Sequence, residues 1–164
     1  CIRDSIYTPL HKPFTISIKP SFIPEGRESK LLVVQLSKDL SKKSPLNSTW
    51  AEGYVTAESP VFGKFCISID TIPPSINTNG FGPGSDLTGR SELRIRITDD
   101  LSGIKTYEPS IDGKWALFDY DQKNNVLIYK FDPKRIERNS DHLLELRVTD
   151  NRGNQNVYAG GFRW

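Results

Sequence analysis

Apolar and polar residues alternate with a period of two along most of this 164-residue chain, a pattern that half-buried strands require and packed helices do not. Successive side chains on a strand point to opposite faces, so alternation describes one dry face and one wet face. Phe14, Ile16 and Ile18 alternate with Thr15, Ser17 and Lys19; Leu32, Val34 and Leu36 repeat the pattern, and Phe65, Ile67 and Ile69 repeat it again. Trp50 to Ala57 reads as another strand, with Gly53 as a bulge or a point of close approach. In the second half Leu93, Ile95 and Ile97 oppose Glu92, Arg94, Arg96 and Thr98, and Leu144, Leu146 and Val148 oppose Glu145, Arg147 and Thr149. Leu127, Tyr129 and Phe131 form one more apolar row, and further strands are expected over 104–110, 114–120 and 156–162.

The segment Asp70-Thr71-Ile72-Pro73-Pro74 interrupts this ladder, because consecutive prolines lack amide donors and favour extended backbone. A domain boundary is expected there. Only 133–138 looks helical, with Asp132 able to cap free amides and Pro133 suited to a first helical position. Lys123-Asn124-Asn125 reads as a hairpin turn, and Gly80-Phe81-Gly82-Pro83-Gly84 as a surface loop. The expectation is an all-β chain of two tandem immunoglobulin-like β-sandwich modules, residues 1–72 and 73–164, each with a small core and modest stability.

Lys and Arg number 22 against 20 Asp and Glu, so no strong field draws the chain onto nucleic acid or an anionic membrane. No apolar stretch approaches the roughly 18 residues of a transmembrane segment, and no signal-like apolar region opens the sequence. A first residue of Cys1 and the absence of Met suggest a piece of a longer translation product. Cys1 and Cys66 allow one disulfide but no disulfide framework or thiolate metal site, and free thiols are the expectation. Cys66, on the face opposite Phe65 and Ile67, reads as a small core residue or as a partner of Cys1.

The chain is poor in catalytic residue types. Its two histidines, His11 and His142, are far apart, and no His-Glu-x-x-His, Gly-x-Ser-x-Gly, phosphate-binding glycine loop or Cys-x-x-Cys occurs. No catalytic residue and no cofactor are therefore expected. His142 reads as a surface residue bonded to backbone at the start of a strand, and His11 as part of a proline-flanked loop. Asp99-Asp100 and Asp150-Asn151 each end a strand, and in a sandwich those ends could share a pole where grouped oxygens would suit calcium. The competing reading is two Asx turns, each closed by a glycine, Gly103 and Gly153. Neither loop has the alternating Asp pattern of a dedicated calcium loop, which favours the turns.

Trp115, Phe118 and Tyr120 are expected in one strand, with Trp115 and Phe118 on opposite faces and therefore unable to form one aromatic platform. Most aromatics of such strands are core, and the ligand-binding candidates among them are Trp115 and Tyr120. Arg94 and Arg96 would read an acidic partner, or pair with neighbouring-strand carboxylates such as Glu145. Asn47-Ser48-Thr49 matches the N-glycosylation triplet.

Several segments in order carry a resemblance. They are Tyr7-Thr8-Pro9-Leu10-His11, Gly53-Tyr54-Val55-Thr56-Ala57, Phe62-Gly63-Lys64-Phe65 and Asp70-Thr71-Ile72-Pro73-Pro74, then Arg96-Ile97-Thr98-Asp99-Asp100-Leu101-Ser102-Gly103-Ile104, Ile111-Asp112-Gly113-Lys114-Trp115 and Val148-Thr149-Asp150-Asn151-Arg152-Gly153-Asn154. Together they resemble the tail that follows the catalytic domain in some bacterial lysostaphin-type (LytM-like) zinc peptidases. That family cuts peptide cross-links of peptidoglycan with a zinc held by His-x-x-x-Asp and His-x-His, and this sequence has neither motif. The resemblance thus implies a non-catalytic accessory region of a cell-envelope enzyme, working outside the cytoplasm. Its partners would be an upstream catalytic domain of the same polypeptide and peptidoglycan or an envelope protein. It further implies that some strands of the first module precede Cys1, leaving that module incomplete. The alternative is a free-standing adhesive or glycan-binding immunoglobulin-like module, which predicts at least two coplanar exposed aromatics.

Overall fold

The computed structural model describes residues 9–164, so Cys1 and its pairing with Cys66 lie outside the described residues. Nearly all regular structure is strand, and the chain divides into two compact units, Cys1–Thr71 and Ile72–Trp164.

The first unit is a small sandwich of two three-stranded antiparallel sheets. One contains β1 (Pro9–Ile18), β5 (Tyr54–Val61) and β4 (Ser48–Ala51); the other contains β3 (Lys43–Pro45), β2 (Leu31–Leu36) and β6 (Lys64–Ile69). Register places Ile16 opposite Ala57, Ile18 opposite Val55 and Trp50 opposite Val55, so these side chains share one inner face. Leu31, Val33, Phe65 and Ile67 meet them from the other sheet. Leu32 and Val34, expected as the dry face of β2, lie outside that core cluster yet are also almost wholly buried. The first four residues of β2, Leu31–Val34, are therefore an apolar run covered on both faces, and alternation was the wrong pattern to read there. Cys66 pairs in register with Val34, is half-buried and forms no disulfide among the described residues.

Two further expectations fail in this unit. Trp50 to Ala57 is not one strand with a bulge: Glu52 and Gly53, at φ of 52° and 84°, form the two-residue turn of the β4–β5 hairpin. His11 lies on β1 and is exposed, where a loop was expected.

The second unit has the strand order of an immunoglobulin-like sandwich. Strands β12 (Asp119–Asp121), β13 (Val126–Lys130), β9 (Glu92–Thr98) and β7 (Ser75–Asn77) form one sheet in that order. The second sheet runs β11 (Lys114–Trp115), β10 (Ile104–Ile111), β14 (Asp141–Asp150), β15 (Gln155–Arg163) and β8 (Ser85–Asp86). Lettered A to G in the usual way, these contain the A-B-E-D and C-F-G strands; from β9 onward the chain changes sheet after β9, β11 and β13, while β10–β11, β12–β13 and β14–β15 are antiparallel neighbours within one sheet. β8 pairs parallel with the last strand through Phe162 and Ser85. Between the sheets lie Leu93, Ile95, Ile97, Leu127, Tyr129, Leu144, Leu146, Val148 and Phe162, the inward set that period-two alternation predicts. Gly160 leaves room for Tyr158, whose ring lies across it; a Cβ there would come within 2.7 Å of the ring.

Residues 114–120 are two strands, in different sheets. Trp115 ends β11 on one sheet, the chain crosses the edge through Ala116, Leu117 and Phe118, and β12 begins the edge of the other. The expected helix at 133–138 is also absent. Asp132 does cap, its carboxylate accepting from Lys134 N at 2.9 Å and its carbonyl from Arg135 N and Ile136 N. The turn then stops, because so short a helix gains too few bonds to offset nucleation, and Asn139 at φ 58° turns the chain into β14.

Candidate functional site

At the pole where β9 and β14 end, two short loops are organised from within by aspartates. Asp99 Oδ2 accepts from Leu101 N at 3.1 Å and Gly103 N at 2.7 Å. Asp150, fully buried, accepts at Oδ1 from Arg152 N and Asn154 N, both at 2.8 Å, and at Oδ2 from Asn154 Nδ2 at 2.6 Å. Gly103 and Gly153 sit at φ of 82° and 74°, the left-handed backbone that closes such turns. Asn151 ties the loops together, its backbone N donating to Gly103 O at 3.0 Å and its Nδ2 to Ser102 O at 2.7 Å. Of the four oxygen-bearing candidates, the carboxylates of Asp99 and Asp150 approach within 4.8 Å. Asp100 is exposed, and Asn151 turns its amide nitrogen into the loop. The sequence reading missed Asn154, whose spacing of four from Asp150 and place in Asp-Asn-x-Gly-Asn was the available signal.

His142 is not a surface residue. Its side chain is 4% exposed, Nδ1 lies 2.7 Å from Asp112 Oδ2, and Nε2 lies 2.7 Å from the Glu137 carbonyl oxygen. Asp112 Oδ1 also accepts from Leu143 N at 2.8 Å. Asp112 and Gly113, both at positive φ, form the tight turn between β10 and β11, so this pair fastens that hairpin to the start of β14. Both ring nitrogens face acceptors, which suits the imidazolium with two N–H donors. Burial works against the charged ring, but the bonds to Asp112 and the Glu137 carbonyl outweigh it and hold the His142 pKa above its ordinary value. Burial likewise opposes ionisation of Asp112, and the bonds from His142 and Leu143 N overcome it, holding that carboxyl below its ordinary value.

A raised histidine pKa contributes stability that is complete below the unfolded value of 6.5 and fades as pH rises through the folded value. A lowered aspartate pKa contributes stability present above 3.8 and lost as pH falls through its folded value. The clamp is therefore strongest between these limits. The melting temperature is expected to fall through this pair as pH rises above 6.5, and His142→Gln should flatten that part of the profile. An unchanged slope in the variant would remove His142 as its source.

The binding candidates do not converge. Tyr120 packs on Tyr107 at a centroid distance of 5.5 Å and donates to Asn125 Oδ1 at 3.3 Å, on the edge of the four-stranded sheet. Arg94 pairs with Glu92 of its own strand at 2.7 Å, and Arg96 is exposed beside it. Glu145, their expected partner, belongs to the other sheet. Trp115, expected from its strand pattern to be core, is 70% exposed, while Phe118 is buried. No ring contact among the described residues pairs Trp115 with another aromatic, so the two-aromatic platform is not formed there. Trp115 instead edges a shallow dish of about 310 Å³ on the outer face of the five-stranded sheet, with Glu108, Ser110, Glu145, Arg147 and Val157.

These features define an all-β region with immunoglobulin-like architecture. Residues 4–70 match the model of a Zu5-like domain. Fibronectin(III)-like modules of CbhA from Clostridium thermocellum are similar at 15% identity, covering 91% of this chain and 84% of that one, with a TM-score of 0.39. The N-terminal four Ig domains of Dscam1 isoform 9.44 are similar at 11% identity, covering 91% and 40%, with a TM-score of 0.35. The order of the strands in the two sheets of the second unit is what makes it immunoglobulin-like. No curated protein sequence matches the chain. Among the described residues no helix is long and apolar enough to cross a membrane.

Proposed function

We propose that this chain is the non-catalytic accessory region of a cell-envelope peptidoglycan metallopeptidase, positioning the catalytic domain or holding it against wall or partner. The ordered segments resembling such tails motivate the parent enzyme. The observation that carries the accessory role is that the side chains best suited to chemistry serve the scaffold. Both nitrogens of the buried histidine are bonded, and Asp99 and Asp150 hold loop amides. A general base needs a lone pair directed at a substrate, and both ring nitrogens of His142 face protein acceptors on a buried side chain.

Incubating the purified chain with insoluble peptidoglycan, beside a neutral β-sandwich as control, should leave the chain in the pellet. Recovery in the supernatant would reduce the role to that of spacer or brace. Absence of a His-x-His domain from the native full-length product would remove the metallopeptidase reading. The free-standing adhesive or glycan-binding module would then take its place on the exposure of Trp115 alone, without the pair of coplanar aromatics expected of it.

A further inference from the structure

We propose that the outer face of the five-stranded sheet in the second unit is a sugar-binding platform. The Trp115 indole is its stacking surface, Glu108, Glu145 and Arg147 are its hydrogen-bonding rim, and its ligand is an uncharged pyranose of a glycan strand. The inference deepens the proposed function by naming what the region holds, and rests on it only for the choice of polymer.

Register assembles the site. Ser110 of β10 faces Trp115 of β11 on one side and Glu145 of β14 on the other, so all three point outward in one row. The next outward row is Glu108, Arg147 and Val157, across β10, β14 and β15. Neighbouring strands lie about 4.8 Å apart, so the indole and the rim groups flank an area about the width of one or two sugar rings. The dish of about 310 Å³ between them stands at the lower end of the range for small-ligand pockets.

Two properties select the ligand. Among the described residues the side chains of Glu108, Glu145 and Arg147 take part in no ion pair or hydrogen bond, although Glu108 and Arg147 sit opposite each other. They remain available as two acceptors and one forked donor beside a bare aromatic face. Vicinal hydroxyls match that set: they donate to carboxylates in charge-assisted bonds and accept from guanidinium, while the C–H face of the ring covers the indole. With two carboxylates to one guanidinium the dish is net negative, which disfavours phosphate and uronate. A protein laid over the same face would have to desolvate all three charges, and interface cores are depleted in Glu for that reason.

The test is a titration of the full chain with a soluble β-1,4-linked N-acetylglucosamine hexamer, and separately with cellohexaose, followed by amide and indole NMR shifts. Shifts are expected at the Trp115 indole N–H and along β10, β11 and β14 with at least one of the two. Trp115→Ala should weaken that binding at least tenfold with an unchanged melting temperature, since the side chain is largely exposed. Trp115→Phe should restore part of it, and Glu145→Gln should weaken it without removing the stacking. No shift with either oligosaccharide, shifts confined to other faces, or undiminished binding by Trp115→Ala would overturn the platform. Retention on intact peptidoglycan but not on glycan strands stripped of stem peptides would also overturn it, in favour of a peptide contact. The platform and the peptidase reading fail separately. Equal wall retention of Trp115→Ala sinks only the platform, whereas oligosaccharide binding through Trp115 without wall retention sinks only the choice of polymer.

Discussion

Asp150→Ala is expected to destabilise the second unit by about 3 kcal/mol or more, because it strands several donors at once in a buried loop. Arg152 N, Asn154 N and Asn154 Nδ2 all point at this carboxylate, and its exposure is 0%. Each buried donor left without an acceptor costs roughly 1–3 kcal/mol, and bonds to a charged group lie toward the upper end. In a unit of this size each kcal/mol moves the melting temperature by about 4–8 °C, so a drop of more than about 12 °C is expected by calorimetry or circular dichroism. Asp150→Asn should lose less, since one oxygen still accepts from the two backbone amides. The same change at Asp99, which is only half-buried, should also cost less. A drop below about 1 kcal/mol for Asp150→Ala would mean that water replaces the carboxylate and that the pole is not internally organised.

Leu146→Ala should cost about 2–5 kcal/mol, through lost transfer energy and the cavity left between the sheets. Leu146 is fully buried on the inner face of β14 with Leu144 and Val148. Leu143→Ala, three residues earlier on the outer face and 46% exposed, should stay within about 0.5 kcal/mol. The contrast is a direct test of register, because a slip of one residue exchanges the two faces of the strand. Urea unfolding of both variants reads it: comparable losses at the two positions would contradict the assigned faces.

Where alternation was clean, the sequence read the structure closely. Leu93, Ile95 and Ile97 of β9 and Leu144, Leu146 and Val148 of β14 are inward, as expected from their polar neighbours. Where alternation broke down, the reading went astray for identifiable reasons. Leu31 to Val34 is a continuous apolar run, so the pattern held no information about which face was covered. Glu52-Gly53 could be a bulge or a turn, and only pairing of Trp50 with Val55 makes it a hairpin. The stretch from Lys114 to Tyr120 changes sheet midway, which leaves Trp115 on an outer face and brings Phe118 inside. No local propensity marks such a crossing, since both halves remain extended.

The candidate sites divide in the same way. Asp99 to Gly103 and Asp150 to Asn154 were legible as turns, because an Asx side chain reaches its own loop's amides within a few residues. His142 was misread because its partner, Asp112, is 30 residues away and arrives only when β10 pairs with β14. The rim of the Trp115 dish was likewise scattered over three strands. By itself the sequence determined the strands of clean alternation, their inward faces and the Asx turns at Asp99 and Asp150, all properties set by side-chain periodicity and by bonds that close within a few residues. Tertiary structure alone decided that a histidine would be buried against an aspartate, that Trp115 would be exposed, and which carboxylates would stand beside it. Each of these depends on strand pairing between residues far apart in the chain, and no local pattern encodes such pairing.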